Sequence, residues 1–96
     1  MPKADALLRE DNADVRITEW RLAPGAATGY HRHDYDYVVV PLNDGTVKAT
    51  GPSGDTVVSL QVGQAYFRKA GVEHDVVNVG TAPYAFTEVE LKRQPG

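Results

Sequence analysis

The stretch Tyr35-Asp36-Tyr37-Val38-Val39-Val40-Pro41-Leu42-Asn43-Asp44-Gly45-Thr46-Val47-Lys48-Ala49-Thr50 decides the fold class. Its first half is the most apolar strand-like run in the chain, built from aromatic and β-branched residues that suit a pleated surface. Asn-Asp-Gly then reads as a hairpin turn, because Asp-Gly tolerates the positive φ angles such turns need. Thr46 to Thr50 returns with alternating character. Pro41 cannot donate to a ladder, so this reading puts it at an edge or a bulge.

The same grammar extends both ways. Upstream, Val15 to Leu22 is a strand stopped by Pro24-Gly25. Downstream, Gly51-Pro52-Ser53-Gly54-Asp55 is a turn, Thr56 to Gln61 a strand and Val62-Gly63-Gln64 a turn. Ala65 to Arg68, Glu73 to Val79 and Tyr84 to Leu91 are further strands, separated by Ala70-Gly71 and by Gly80-Thr81-Ala82-Pro83. Short strands at regular intervals with no helical period predict an all-β antiparallel sandwich or barrel. Residues 1–13 read as an N-terminal arm or first strand that pairs with a neighbour, and residues 14–96 as one domain.

A chain of 96 residues has room for one core. It buries only about 60–65% of its extended surface, and with no cysteine it lacks disulfides and thiolate ligands. Burial between subunits would supplement such a core, so a homodimer is expected. The net charge of −3 is interspersed and forms no basic stripe, which argues against a nucleic-acid surface. No segment has the length of a signal peptide core or of the ~20 apolar residues that span a bilayer. A cytoplasmic location is the expectation.

Just upstream of the central strand stand His31 and His33. In an extended segment they point to one side about 7 Å apart along the chain, a spacing at which two imidazoles can grip one metal ion. The third histidine, His74, lies about forty residues on and must be brought across by the fold. Singly, each would read as a surface group or a satisfied hydrogen-bonding residue.

Taken together, the residues resemble the two cupin motifs. From Gly25 the chain runs five residues to His31, one to His33 and on to Gly45; from Gly63 it runs five residues to Lys69, one to Gly71, two to His74 and three to Asn78. The wording HRHDYDYVVVPL and YFRKAGVEHDVVN is similar to small single-domain cupins of the β-alanine degradation group. The resemblance implies a double-stranded β-helix, or jelly roll, with His31, His33 and His74 as metal ligands and Asn78 in a structural part.

Two departures stand out. Lys69 replaces a usual proline. The usual glutamate, set three or four residues beyond the second histidine, is missing: Tyr37 or Val38 stands there, and Asp36, one or two positions off register, is turned to the other face of a strand unless a bulge intervenes. Three imidazoles leave a divalent site at about +2 rather than +1, which favours anionic ligands. Phenols from Tyr35 or Tyr37 are expected at its rim, and Glu88 on the last strand is a late recruit.

By resemblance, the expected function is a metal-dependent dioxygenase with iron(II) acting on a small anionic organic acid, a three-carbon acid on the β-alanine connection. Zinc, manganese or nickel are also accepted by imidazole. Tyr37 and Arg68 are the candidates for orienting substrate, Arg68 through the fork that guanidinium offers a carboxylate. The alternatives are a ligand-binding cupin without turnover, or a zinc or manganese isomerase or lyase. Free histidine titrates near 6.5, so such a site should empty near pH 6 and below.

Overall fold

The computed structural model describes residues 2–93. Among them are nine strands: β1 (Asp5–Asp11), β2 (Val15–Leu22), β3 (His31–Arg32), β4 (Asp36–Pro41), β5 (Gly45–Gly51), β6 (Gly54–Leu60), β7 (Tyr66–Arg68), β8 (Glu73–Asn78) and β9 (Tyr84–Leu91). They form a five-stranded sheet in the order β1-β2-β9-β4-β7 and a four-stranded sheet in the order β3-β8-β5-β6. All pairings between these strands are antiparallel. The architecture is the expected all-β jelly roll, and no helix is long and apolar enough to cross a membrane.

Strict alternation makes the sandwich. In β9 every second residue, Tyr84, Phe86, Glu88 and Glu90, turns inward and is buried; in β4 the same holds for Tyr37, Val39 and Pro41. Leu22, Tyr37, Val39, Tyr84 and Phe86 from one sheet meet Val47 and Val76 from the other. Burial of each such side chain stabilises the fold by about 1.5–3 kcal/mol before entropy is counted. β1 pairs with β2 of the same chain.

The Asn43-Asp44-Gly45 hairpin is overturned. β4 lies between β9 and β7, and β5 between β8 and β6, so this turn carries the chain from one sheet to the other. Asn43 is tied to β9 through its side-chain bonds with Pro83 and Ala85, and Asp44 accepts the Val62 N–H. Gly45 does not use a positive φ. It is glycine because a Cβ there would lie 2.3 Å from Cδ1 of the Tyr84 ring. The true hairpin is the next one, where Gly51 pairs with Gly54 and Gly54 has φ +113°.

Pro41 lies at a local edge, as expected: it ends β4 beyond the reach of β7 and pairs on its other side with β9. The β7 ladder has already stopped at Val39, so its missing N–H interrupts nothing, and its carbonyl accepts the Gly63 N–H.

Candidate metal centre

The segment from Gly25 to His33 is stitched to β8. Gly25 N–H donates to Asn78 O, Asn78 N–H to Ala26 O, and Thr28 N–H to Val76 O. The Asn78 amide, buried, donates to the Leu22 and Ala82 carbonyls while its oxygen accepts the Gly80 N–H. Further along, His33 N–H donates to Val72 O and Gly71 N–H to His33 O. These bonds put His31 opposite His74 in register.

The three rings converge through their Nε2 atoms. His31 Nε2 is 3.0 Å from His33 Nε2, which is 3.3 Å from His74 Nε2. His31 Nδ1 is 2.8 Å from the Gly29 carbonyl, which can only accept, so Nδ1 carries the proton and Nε2 offers its lone pair. Lone pairs facing one another at this range repel unless a cation or proton lies between them. With metal–nitrogen bonds of about 2.1 Å, neighbouring donors stand about 3.0 Å apart around an octahedral ion and about 3.4 Å around a tetrahedral one. The observed separations match, and the three imidazoles could hold one metal ion.

Electrostatics favours the neutral, ligating form. Burial and then the neighbouring His31 and His74 pull His33 down to about 3; burial, His31 and Arg68 pull His74 down to about 4. Tyr37 stacks on His33 with ring centroids 3.9 Å apart, and burial pushes its phenol up to about 12 against the opposing effect of Arg68. Trp20 lies nearly parallel to His31 at 6.4 Å.

Two carboxylates flank His33. Glu90 Oε1 is 4.0 Å from its Nδ1, and Arg16 holds the other oxygen of Glu90. Glu88 Oε2 is 3.9 Å from its Nε2. Burial, then repulsion by Glu90, pushes Glu88 up to about 7. The Trp20 indole N–H favours the charged form of Glu88, yet makes no hydrogen bond of normal geometry.

A cavity of about 230 Å³ opens beside the rings. His31, His74, Tyr37, Tyr66, Arg68 and Glu88 supply its polar wall, while Val39, Val47, Leu60, Val76 and Phe86 line the rest. Arg68 also borders an adjoining groove together with His74. The structure therefore brings His31, His33, His74, Tyr37 and Arg68 into one neighbourhood. Tyr37 is a buried wall residue, not a rim phenol, and Tyr35 is elsewhere, under the Arg16 guanidinium. Asp36 is engaged by the Ala70 N–H, 2.8 Å away, and stands 3.9 Å from Lys69 Nζ.

The sequence reading missed Glu90, Arg16 and the stacking of Trp20. One signal was available: Glu88 and Glu90 fall in phase with Tyr84 and Phe86, so two acids share the face that the aromatics bury.

The cupin-domain family profile matches residues 18–90. The chain is a cupin. This cupin is 56% identical over 91 residues to the β-alanine degradation protein BauB of Pseudomonas aeruginosa, covering 95% of this chain and 96% of that protein. The crystal structure of a cupin domain from Bordetella pertussis superposes with a TM-score of 0.93 at 42% identity, covering 96% of each chain. A double-stranded β-helix protein from Klebsiella pneumoniae shares the fold at a TM-score of 0.79 and 21% identity, covering 98% of this cupin and 81% of that chain.

Proposed function

We propose that this cupin is a metal-dependent dioxygenase that uses iron(II) on a small anionic organic acid. The observation that carries the reading is the convergence of three Nε2 lone pairs at the wall of a cavity that has an arginine among its polar groups. When bound, iron(II) would supply O₂ chemistry and lower the pKa of a coordinated acid. His31, His33 and His74 would hold it. Arg68 pairs with the substrate carboxylate and sets its orientation, and the Tyr37 phenol, which stays protonated, offers a hydrogen bond from the wall.

The apolar wall takes the substrate's hydrocarbon body and keeps water from it. The relative named for β-alanine degradation makes a three-carbon acid the first substrate to try. A cavity of about 150 Å³ accepts a benzene ring, so one of about 230 Å³ also admits longer mercapto and keto acids, and these belong in the same assay. We further propose a cytoplasmic homodimer; light scattering at micromolar concentration showing a monomer would refute the dimer.

The test is metal analysis of tag-free protein, then oxygen uptake by the iron-loaded protein with three- to six-carbon mercapto and keto acids. His74→Ala should lose the metal while keeping the β-sheet signal. Full iron loading without oxygen uptake on any acid would overturn the dioxygenase reading. Protein that takes up no metal under any loading condition would overturn the metal centre itself.

A further inference from the structure

Glu88 is a buried carboxyl to which the site described so far gives no purpose. It is 8% exposed, faces inward from β9 and lines the cavity with His31 and His74. No lysine or arginine forms an ion pair with it among the described residues: its ion-pair contact is His33, and Arg16 engages Glu90 instead. A carboxylate taken out of water without a cationic partner is costly, and a divalent ion in the occupied site would supply the missing positive charge.

The strand register says what it replaces. Where the glutamate of the motif would stand, β4 carries Tyr37 and Val38, with Asp36 just before them. Asp36 is spent on the Ala70 N–H, and Tyr37 fills the inward position with a ring. One strand over, Val39 of β4 pairs with Glu88 of β9, and Tyr37 with Glu90. The acid absent from the inward face of β4 is thus present on the inward face of its neighbour.

We propose that Glu88 supplies the carboxylate of this metal centre: its Oε2, 3.9 Å from His33 Nε2, would turn toward the divalent ion that the three imidazoles would hold. The net charge of the loaded site is then about +1 instead of the +2 of three histidines alone. The inference rests on the metal reading above and goes beyond it in the donor set.

Tag-free, metal-stripped wild type, Glu88→Gln and Asp36→Asn are titrated with Co²⁺ at pH 8 by calorimetry, with the visible d–d bands recorded and melting followed with and without the ion. E88Q is expected to bind Co²⁺ at least tenfold more weakly with altered bands, and its metal-free form to melt at or above wild type because the unpaired buried charge is gone. D36N should bind within twofold of wild type. Wild-type affinity and bands in E88Q would overturn the inference, as would a loss confined to D36N. Metal-free E88Q that melts below wild type or fails to fold would make Glu88 a structural residue and overturn it too. Wild type that binds no Co²⁺ would instead remove the metal reading, and this inference with it.

Discussion

Gly45→Ala tests how the two sheets are joined at the cavity. The added methyl would lie 2.3 Å from Tyr84 Cδ1, 2.7 Å from Cγ and 3.0 Å from Cε1. The ring cannot easily retreat, since Tyr84 is almost wholly buried and packs against Phe86 at 5.8 Å. Overpacking of this kind costs about 1–3 kcal/mol. Loss of glycine's freedom in the unfolded chain returns only about 0.4–1 kcal/mol. A net loss of about 1–2 kcal/mol should lower the melting temperature of a domain this size by roughly 4–16 °C.

Calorimetry or urea titration measures it, and the decisive comparison is a double-mutant cycle with Tyr84→Leu. If packing against the ring is the cause, the two changes will be non-additive, and the G45A penalty will shrink by about 1 kcal/mol or more when the ring is gone. A G45A penalty that is the same with and without the ring would refute the argument and restore the view of Gly45 as a turn residue.

Three further outcomes are expected. Arg68→Met should weaken binding of carboxylate ligands at least tenfold, leaving metal content and the affinity for the matching amides unchanged; equal losses for acid and amide would remove Arg68 from carboxylate recognition. Asn78→Ala strands two carbonyls and one N–H and should cost about 3 kcal/mol, measured by urea titration; a loss below about 1 kcal/mol would contradict its structural part.

The metal-free protein should also lose stability as pH falls below about 6.5. The unfolded chain protonates its histidines there, whereas folded His74 and His33 wait until about 4 and 3. Glu88, pushed up to about 7, holds a proton in the folded state and opposes the trend, so two protons favour unfolding against one favouring folding. The slope near pH 5 should be about 1.4 kcal/mol per pH unit. Urea midpoints that stay level or rise from pH 6.5 to pH 4.5 would show that the burial effect is misjudged.

Much of the site was legible because its signals are local. His31 and His33 announce themselves by a spacing of two, and His74 by its distance from Gly63, Gly71 and Asn78. The strands were legible for the same reason, as period-two runs between glycine and proline breaks, and β2 and β9 fall where the sequence puts them. Asn43-Asp44-Gly45 misled because a glycine required by a distant ring and a glycine required by a turn look alike in one dimension. Tyr37 misled for a related reason: a tyrosine in a strand suits either face, and only the packing against His33 selects the inner one.

By itself, the sequence determined the fold class, the three imidazoles and the missing glutamate after His33, since each follows from residue type and near spacing. The tertiary structure decided which strands pair, that the central turn crosses between sheets, and that β9 brings Glu88 to within 3.9 Å of His33. Those depend on contacts between residues far apart in the chain, such as Val39 with Glu88, where the energy lies in which inward faces meet, and no local pattern records that choice.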